Sequence, residues 1–148
     1  MLLKELIFLD IDDKDSNGVL STLVDHLVEF GKVKPEYKEK ILEREKEYPT
    51  GIYTGEINIA IPHADYTLVN EQAIAIAVLK EPVKFQRMED TESSIDVQIV
   101  FMLAIDQPHG HLEMLAKVSE LIMNQEVLQR LVKCSTTEEV YSILQDKL

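Results

Sequence analysis

Hydrophobic positions change their period three times along the chain. Leu6–Ile11 is a short apolar run closed by the acidic cluster Asp10, Asp12, Asp13 and Asp15, which predicts a strand running into a turn. After Ser16-Asn17-Gly18, the residues Val19, Leu20, Leu23, Val24, Leu27 and Val28 recur at helical spacing, predicting an amphipathic helix that closes near Gly31. Pro35 suits the first turn of a second helix carrying Tyr37, Ile41 and Leu42 and stopped at Pro49. The pattern then shortens. Ile57–Ile61, Ala73–Leu79 and Ile95–Ile105 are runs rich in Ile, Val and Ala, punctuated by Pro62, Pro82 and Pro108, and read as buried strands. Beyond Gly110 the helical period returns with Leu112, Leu115, Val118, Leu121 and Ile122, and again with Val127, Leu128 and Leu131. A last helix is expected to begin at the capping-box pattern Ser135-Thr136-Thr137-Glu138 and to bury Val140, Tyr141, Ile143 and Leu144. Strand, two helices, three strands and further helices make an α/β domain: a mixed β-sheet flanked by helices in two or three layers, a single domain over residues 1–148 without repeats or a linker.

Composition narrows the possible partners. The chain has 148 residues, 45% hydrophobic and 28% charged, which is enough to bury one core without staples. A formal net charge of −12 opposes a sequence-blind grip on nucleic acid or anionic lipid, and no nucleic-acid partner is expected. The single cysteine, Cys134, and an N-terminus without a basic region leading into a long apolar one point to a reducing, cytoplasmic setting. The longest apolar stretches fall far short of the roughly 20 residues a membrane helix requires.

Two histidines fall at strand ends. In Ile59-Ala60-Ile61-Pro62-His63-Ala64-Asp65, Pro62 stops a strand and leaves His63 where open α/β sheets place their ligands. Pro108-His109-Gly110-His111-Leu112 follows another strand and opens a helix, so His111 belongs to a first turn, where free N–H groups and the helix dipole favour an anion. Such a pair suits phosphate. An imidazole has a pKa of about 6.5 and is mostly neutral at pH 7, so His63 could attack a phosphoryl donor directly, with His111 and Arg44 donating to the phosphoryl oxygens. A metal site from His63, Asp65, His109 and His111 is the competing reading, although a His-Gly-His pair points its rings apart. No metal or other cofactor is expected.

Other patterns have simpler readings. Asp13–Gly18 matches the first half of a calcium loop, but Val24 stands where a bidentate Glu is required. Asp10 and Asp12 resemble the Asp-x-Asp of dehalogenase-type phosphatases, yet Lys14 departs from that pattern, and the cluster reads better as a turn and helix cap. His26 is expected at a core boundary, Cys134 as a structural thiol, and Met102, Met114 and Met123 in the core.

The segments Arg44-Glu45-Lys46-Glu47-Tyr48-Pro49-Thr50-Gly51-Ile52, Ile59-Ala60-Ile61-Pro62-His63 and His111-Leu112, in that order, resemble the enzyme IIA domain of the mannitol–fructose class of the phosphoenolpyruvate-dependent sugar phosphotransferase system. Within that class the segments Arg44–Gly51 and Ala60–Asp65 look most like galactitol-type members. The resemblance implies the mannitol/fructose-type IIA fold, with His63 as the phosphorylated nucleophile. Phosphate would come from the phosphocarrier HPr and pass to a cysteine of a IIB subunit, which serves the membrane IIC permease. It also implies that His111 is a phosphoryl stabiliser and that Arg44 is a possible second one. Asp65 stands where mannitol- and fructose-type members have Gly, and its charge would not favour phosphate. An open site ringed by Ile61, Ala64 and Leu112 is expected, because two partners must reach one histidine. A regulatory phospho-acceptor of the nitrogen-related type and, more remotely, a metal-dependent hydrolase are the alternative readings.

Overall fold

The structure is a computed structural model describing residues 2–108 and 112–148. Its strands are β1 (Ile7–Phe8), β2 (Gly51–Ile52), β3 (Asn58–Ala60), β4 (Ala73–Gln86) and β5 (Ser94–Ala104). They form one five-stranded mixed sheet in the order β1-β4-β5-β3-β2. β4 and β5 pair antiparallel as a long central hairpin, β1 runs parallel to β4, β3 runs parallel to β5, and β2 is antiparallel to β3. The helices are α1 (Ser16–Glu29), α2 (Tyr37–Glu47), α3 (Leu112–Ile122), α4 (Gln125–Val132) and α5 (Thr137–Leu144).

The two-residue period of the central strands sorts the molecule into three layers. Ala73, Ala75, Ala77 and Leu79 of β4, with Val100, Met102 and Ala104 of β5, face the apolar stripes of α1 and α2. Ile74, Ile76 and Val78, with Ile99, Phe101 and Leu103, face α3, α4 and α5. Both faces of these strands are therefore buried, which is why they read as near-continuous apolar runs. The alanine-rich face lets α1 and α2 lie close to the sheet.

Several boundaries differ from the sequence reading. The first strand covers only Ile7–Phe8, because Lys4–Leu6 forms a 3₁₀ turn. β4 does not stop near Leu79: it continues past Pro82 to Gln86, with a break in its pairing to β5 between Val78 and Val83, so Pro82 sits where no ladder bond is required of it. β2 was not anticipated. α5 is capped one residue later than expected, by Thr136, whose Oγ1 accepts from the Glu139 N–H while the Glu139 carboxylate accepts from the Ser135 N–H. Met102 and Met114 are core residues, but Met123 is 84% exposed, at the junction where α3 ends. Asp15 caps α1 by accepting from the Gly18 N–H and Asp13 accepts from the Thr22 hydroxyl, so the acidic cluster serves the helix start. His26 stacks on Phe8 with ring centroids 4.1 Å apart.

Candidate active site

The site lies where β3 and β5, running side by side, reach their C-terminal ends. Pro62 ends β3, but the chain stays beside β5: the Leu103 N–H donates to the Pro62 carbonyl at 2.9 Å, and His63 lies opposite Leu103 in a parallel bridge. After His63 the chain turns away through Asp65, whose carboxylate accepts from the Thr67 N–H at 2.9 Å and caps the 3₁₀ turn Tyr66–Leu68. That hydrogen bond holds the Asp65 carboxyl below the usual range.

His63 is half-buried, and its ring is oriented from both sides. Nδ1 is 2.9 Å from the carbonyl oxygen of Ile61. A carbonyl oxygen only accepts, so Nδ1 carries the proton, and in the neutral ring the lone pair is on Nε2. The guanidinium Nη2 of Arg44 stands 3.5 Å from that nitrogen, at the outer limit of a hydrogen bond. Arg44 itself is exposed and lies over the Tyr48 ring. The two side chains border a cleft of about 570 Å³, whose walls include Ile61, Ala64, Tyr66, Ile105, Pro108 and Leu115. An adjoining hollow of about 490 Å³ continues along α2 past Lys40 and Tyr48. The arrangement offers a nucleophilic nitrogen beside a fixed positive charge at the mouth of a partly apolar cleft. Such a pair can take a phosphoryl group on nitrogen and neutralise charge on its oxygens.

His63, Arg44 and Asp65 are thus brought together. Ile61 and Ala64 line the cleft as expected, and Leu112 is 69% exposed at the start of α3. His111 and His109 lie outside the described residues. Among the described residues, no group of three or more His, Cys, Asp or Glu side chains is gathered as a metal site would require. Cys134 does not line the His63 cleft: burial pushes its thiol up, and Sγ donates to the Arg130 carbonyl.

Sequence reasoning missed the supports beneath the site. Tyr37, fully buried in the first turn of α2, donates its hydroxyl to the Leu103 carbonyl at 3.0 Å. Burial raises its pKa far above the ordinary phenol value, against the opposing influence of the Ala64 N–H. Glu45, also buried, accepts from the Thr50 N–H at 2.8 Å and from the Thr50 hydroxyl. The Thr50 carbonyl in turn accepts from the Ile61 N–H. The signal was present in the spacing: Tyr37, Ile41 and Glu45 form the buried stripe of α2, and a carboxylate on an apolar stripe needs internal partners.

Comparison with known proteins bears on the family and the fold. The family described as "Phosphoenolpyruvate-dependent sugar phosphotransferase system, EIIA 2" matches residues 1–147. The chain belongs to that family. EIIA domains are phosphotransferase components that pass phosphate through a phosphohistidine. The fructose-specific EIIABC component of Bacillus subtilis is 32% identical over 97% of the chain, which spans only 22% of that longer protein. The fructose-specific EIIA component of Haloferax volcanii is 29% identical, covering 95% of the chain and 89% of the relative. The galactitol-specific EIIA component of Escherichia coli K12 is 25% identical over 84% and 82% of the two chains. Among solved structures, the IIA mannitol crystal structure from Escherichia coli superposes with a TM-score of 0.78 at 26% identity, covering 97% of this chain and 99% of that one. The mixed sheet with flanking helices is thus the fold of the mannitol-type EIIA domain, as the sequence resemblance implied.

Proposed function

We propose that this EIIA domain is a cytoplasmic phosphoryl carrier whose acceptor atom is Nε2 of His63. The observation that carries the reading is the Nδ1 contact to the Ile61 carbonyl, which leaves the Nε2 lone pair on the side of Arg44 and the cleft. Phosphate comes from phosphorylated HPr: Nε2 attacks phosphorus, the N–P bond forms, and the donor's bond to phosphorus breaks. In the onward step the thiolate of a IIB cysteine attacks the same phosphorus, the S–P bond forms, and the electron pair of the broken N–P bond returns to Nε2. The proton stays on Nδ1, donated to the Ile61 carbonyl throughout, and neither step involves oxidation or reduction. Arg44 stabilises the charge on the transferring oxygens, and His111 is assigned the same role from the family resemblance.

The relay needs binding that is moderate, since a site that held the phosphoryl group very tightly would stall its release. An open cleft whose cation is an exposed arginine, with the Asp65 carboxylate also on its wall, fits that demand. A relative that joins A, B and C units in one chain supports IIB as the recipient and a membrane IIC unit as the final user. No helix among the described residues is long and apolar enough to cross a membrane. The cargo is a sugar or polyol. Galactitol is suggested by the segments 44–51 and 60–65, and fructose by the names of the two more similar relatives.

The test is incubation with phosphoenolpyruvate, enzyme I and HPr, followed by intact mass and acid lability. Wild-type protein should gain one acid-labile phosphoryl group that is absent from a folded His63→Ala variant and that a IIB subunit removes. Equal labelling of His63→Ala would refute the assignment.

A further inference from the structure

We propose that Tyr37 is a positioning residue for phosphoryl transfer, its buried hydroxyl holding the strand ends in the register that presents Nε2 of His63 to the cleft. The proposal rests on His63 as the acceptor. Tyr37 is fully buried, and its hydroxyl donates to the Leu103 carbonyl at 3.0 Å. Leu103 is the residue opposite His63, and its N–H holds the Pro62 carbonyl at 2.9 Å. The Ala64 N–H, directly after His63, also acts on the phenol, opposing the effect of burial. One hydroxyl therefore interacts with both the β5 end and the peptide that follows the acceptor histidine.

The ring's tautomer depends on where that backbone lies. Nδ1 is held by the carbonyl of Ile61, two residues back in the same short segment, so a shift of the 61–64 backbone moves this acceptor away from the ring. Tyr37 and Arg44 are seven positions apart on α2, about two helical turns, and so project from one side of it. The same helix that brings the guanidinium to Nε2 thus also fixes the floor on which the imidazole stands. Removing the hydroxyl leaves the Leu103 carbonyl without its side-chain donor in a buried place. The ring of a Tyr37→Phe variant still fills its volume, so packing is preserved while the tether is lost.

Two readouts separate positioning from simple stability. In Tyr37→Phe, ring ¹⁵N shifts of unphosphorylated His63 should move from the Nδ1–H form toward a mixture of tautomers. The kcat for phosphoryl uptake from HPr should fall on the order of tenfold with KM for HPr little changed, the size expected of a small misplacement of the attacking atom. Thr22→Val, which removes a side-chain hydrogen bond on α1, supplies the comparison for lost stability and should leave both readouts as in wild type. Tyr37→Phe with a lowered Tm but unaltered tautomer and kcat would overturn the proposal. Wild-type protein phosphorylated elsewhere than His63 would instead refute the acceptor assignment. The tautomer measurement needs no phosphate and keeps the two failures distinct.

Discussion

Gly51→Ala is the substitution whose sign the structure decides most sharply. Gly51 opens β2, and its φ is not in the left-handed region, so an alanine there meets no local strain. On chain entropy alone the change should stabilise the protein by about 0.4–1 kcal/mol. Tertiary contact reverses that expectation. A Cβ at position 51 would stand 2.6 Å from the Gln86 carbonyl oxygen, where ordinary contact begins at 3.4 Å, a deficit of 3.4 − 2.6 = 0.8 Å against backbone. Neither side yields easily. Gln86 is paired to Ser94, the Arg87 N–H donates to the Ser93 carbonyl, and the Met88 N–H donates to the Gly51 carbonyl at 2.8 Å. Relief of the clash therefore costs the overpacking strain of about 1–3 kcal/mol together with about 1 kcal/mol for a weakened hydrogen bond. With the entropic gain subtracted, a net destabilisation of roughly 1–3.5 kcal/mol should lower Tm by roughly 3–13 °C in a domain of this size. Urea unfolding should show a lower midpoint with an unchanged slope. Gly31→Ala is the natural contrast: Gly31 has φ 71° and open space around it, so only the left-handed strain of about 1–2 kcal/mol applies. A Gly51→Ala variant as stable as wild type, or more so, would refute the reasoning.

Three further outcomes are expected. Arg44→Gln should slow phosphoryl transfer to His63 by about 10²–10³-fold, as for loss of one charge-stabilising donor, with Tm nearly unchanged because the side chain is exposed; quenched-flow rates within twofold of wild type would remove Arg44 from the mechanism. Burial raises the Glu45 carboxyl above its unfolded value of about 4.3, so its contribution to stability is full below that pH and is lost as pH rises through the folded value. Glu45→Gln does not titrate, so its Tm relative to wild type should climb from about pH 4 upward, and a difference that falls over that range contradicts the assignment. With a net charge of −12, association with a basic carrier should slow as salt rises, and a rate constant equal at low and high ionic strength in stopped flow would exclude steering.

The parts of the fold legible in the sequence were those with their own period. α1 follows its spacing from Val19 to Leu27, and the two central strands follow their apolar runs. β2 has two residues and no period; it exists because Gly51 and Ile52 pair with Ala60 and Ile59. β1 likewise takes its two residues from pairing with Ile76 and Ala77 of β4, a partner roughly 70 positions away that no local window contains. Pro82 looked like a stop because proline cannot serve a regular ladder, yet the irregularity between Val78 and Val83 gives it a place. At the candidate site, His63 and Arg44, whose side chains the fold brings within 3.5 Å of each other, both stand in motifs the sequence displays. The burial of Tyr37 and Glu45 was present in the spacing of α2, but their partners were not, because those lie at strand ends outside the helix.

The Nδ1 partner also bears on the energetics of a relay. Many oriented histidines rest on a carboxylate, which fixes the tautomer and stabilises positive charge on the ring. Here the partner is the neutral Ile61 carbonyl, and Asp65, the nearest carboxylate along the chain, is turned toward the Thr67 N–H. On the proposed mechanism the phosphorylated ring keeps its Nδ1 proton, and an anionic neighbour there would favour the phosphohistidine over the free imidazole. A carbonyl orients the ring with a much smaller electrostatic bias. On that mechanism the bond to phosphorus stays easy to break, and charge stabilisation falls to side chains other than the Nδ1 partner, among them the exposed Arg44. The proposed mechanism thus separates orientation, supplied by backbone beneath the ring, from charge stabilisation, supplied in part by a solvent-facing side chain, and the second can be weakened or strengthened without disturbing the first.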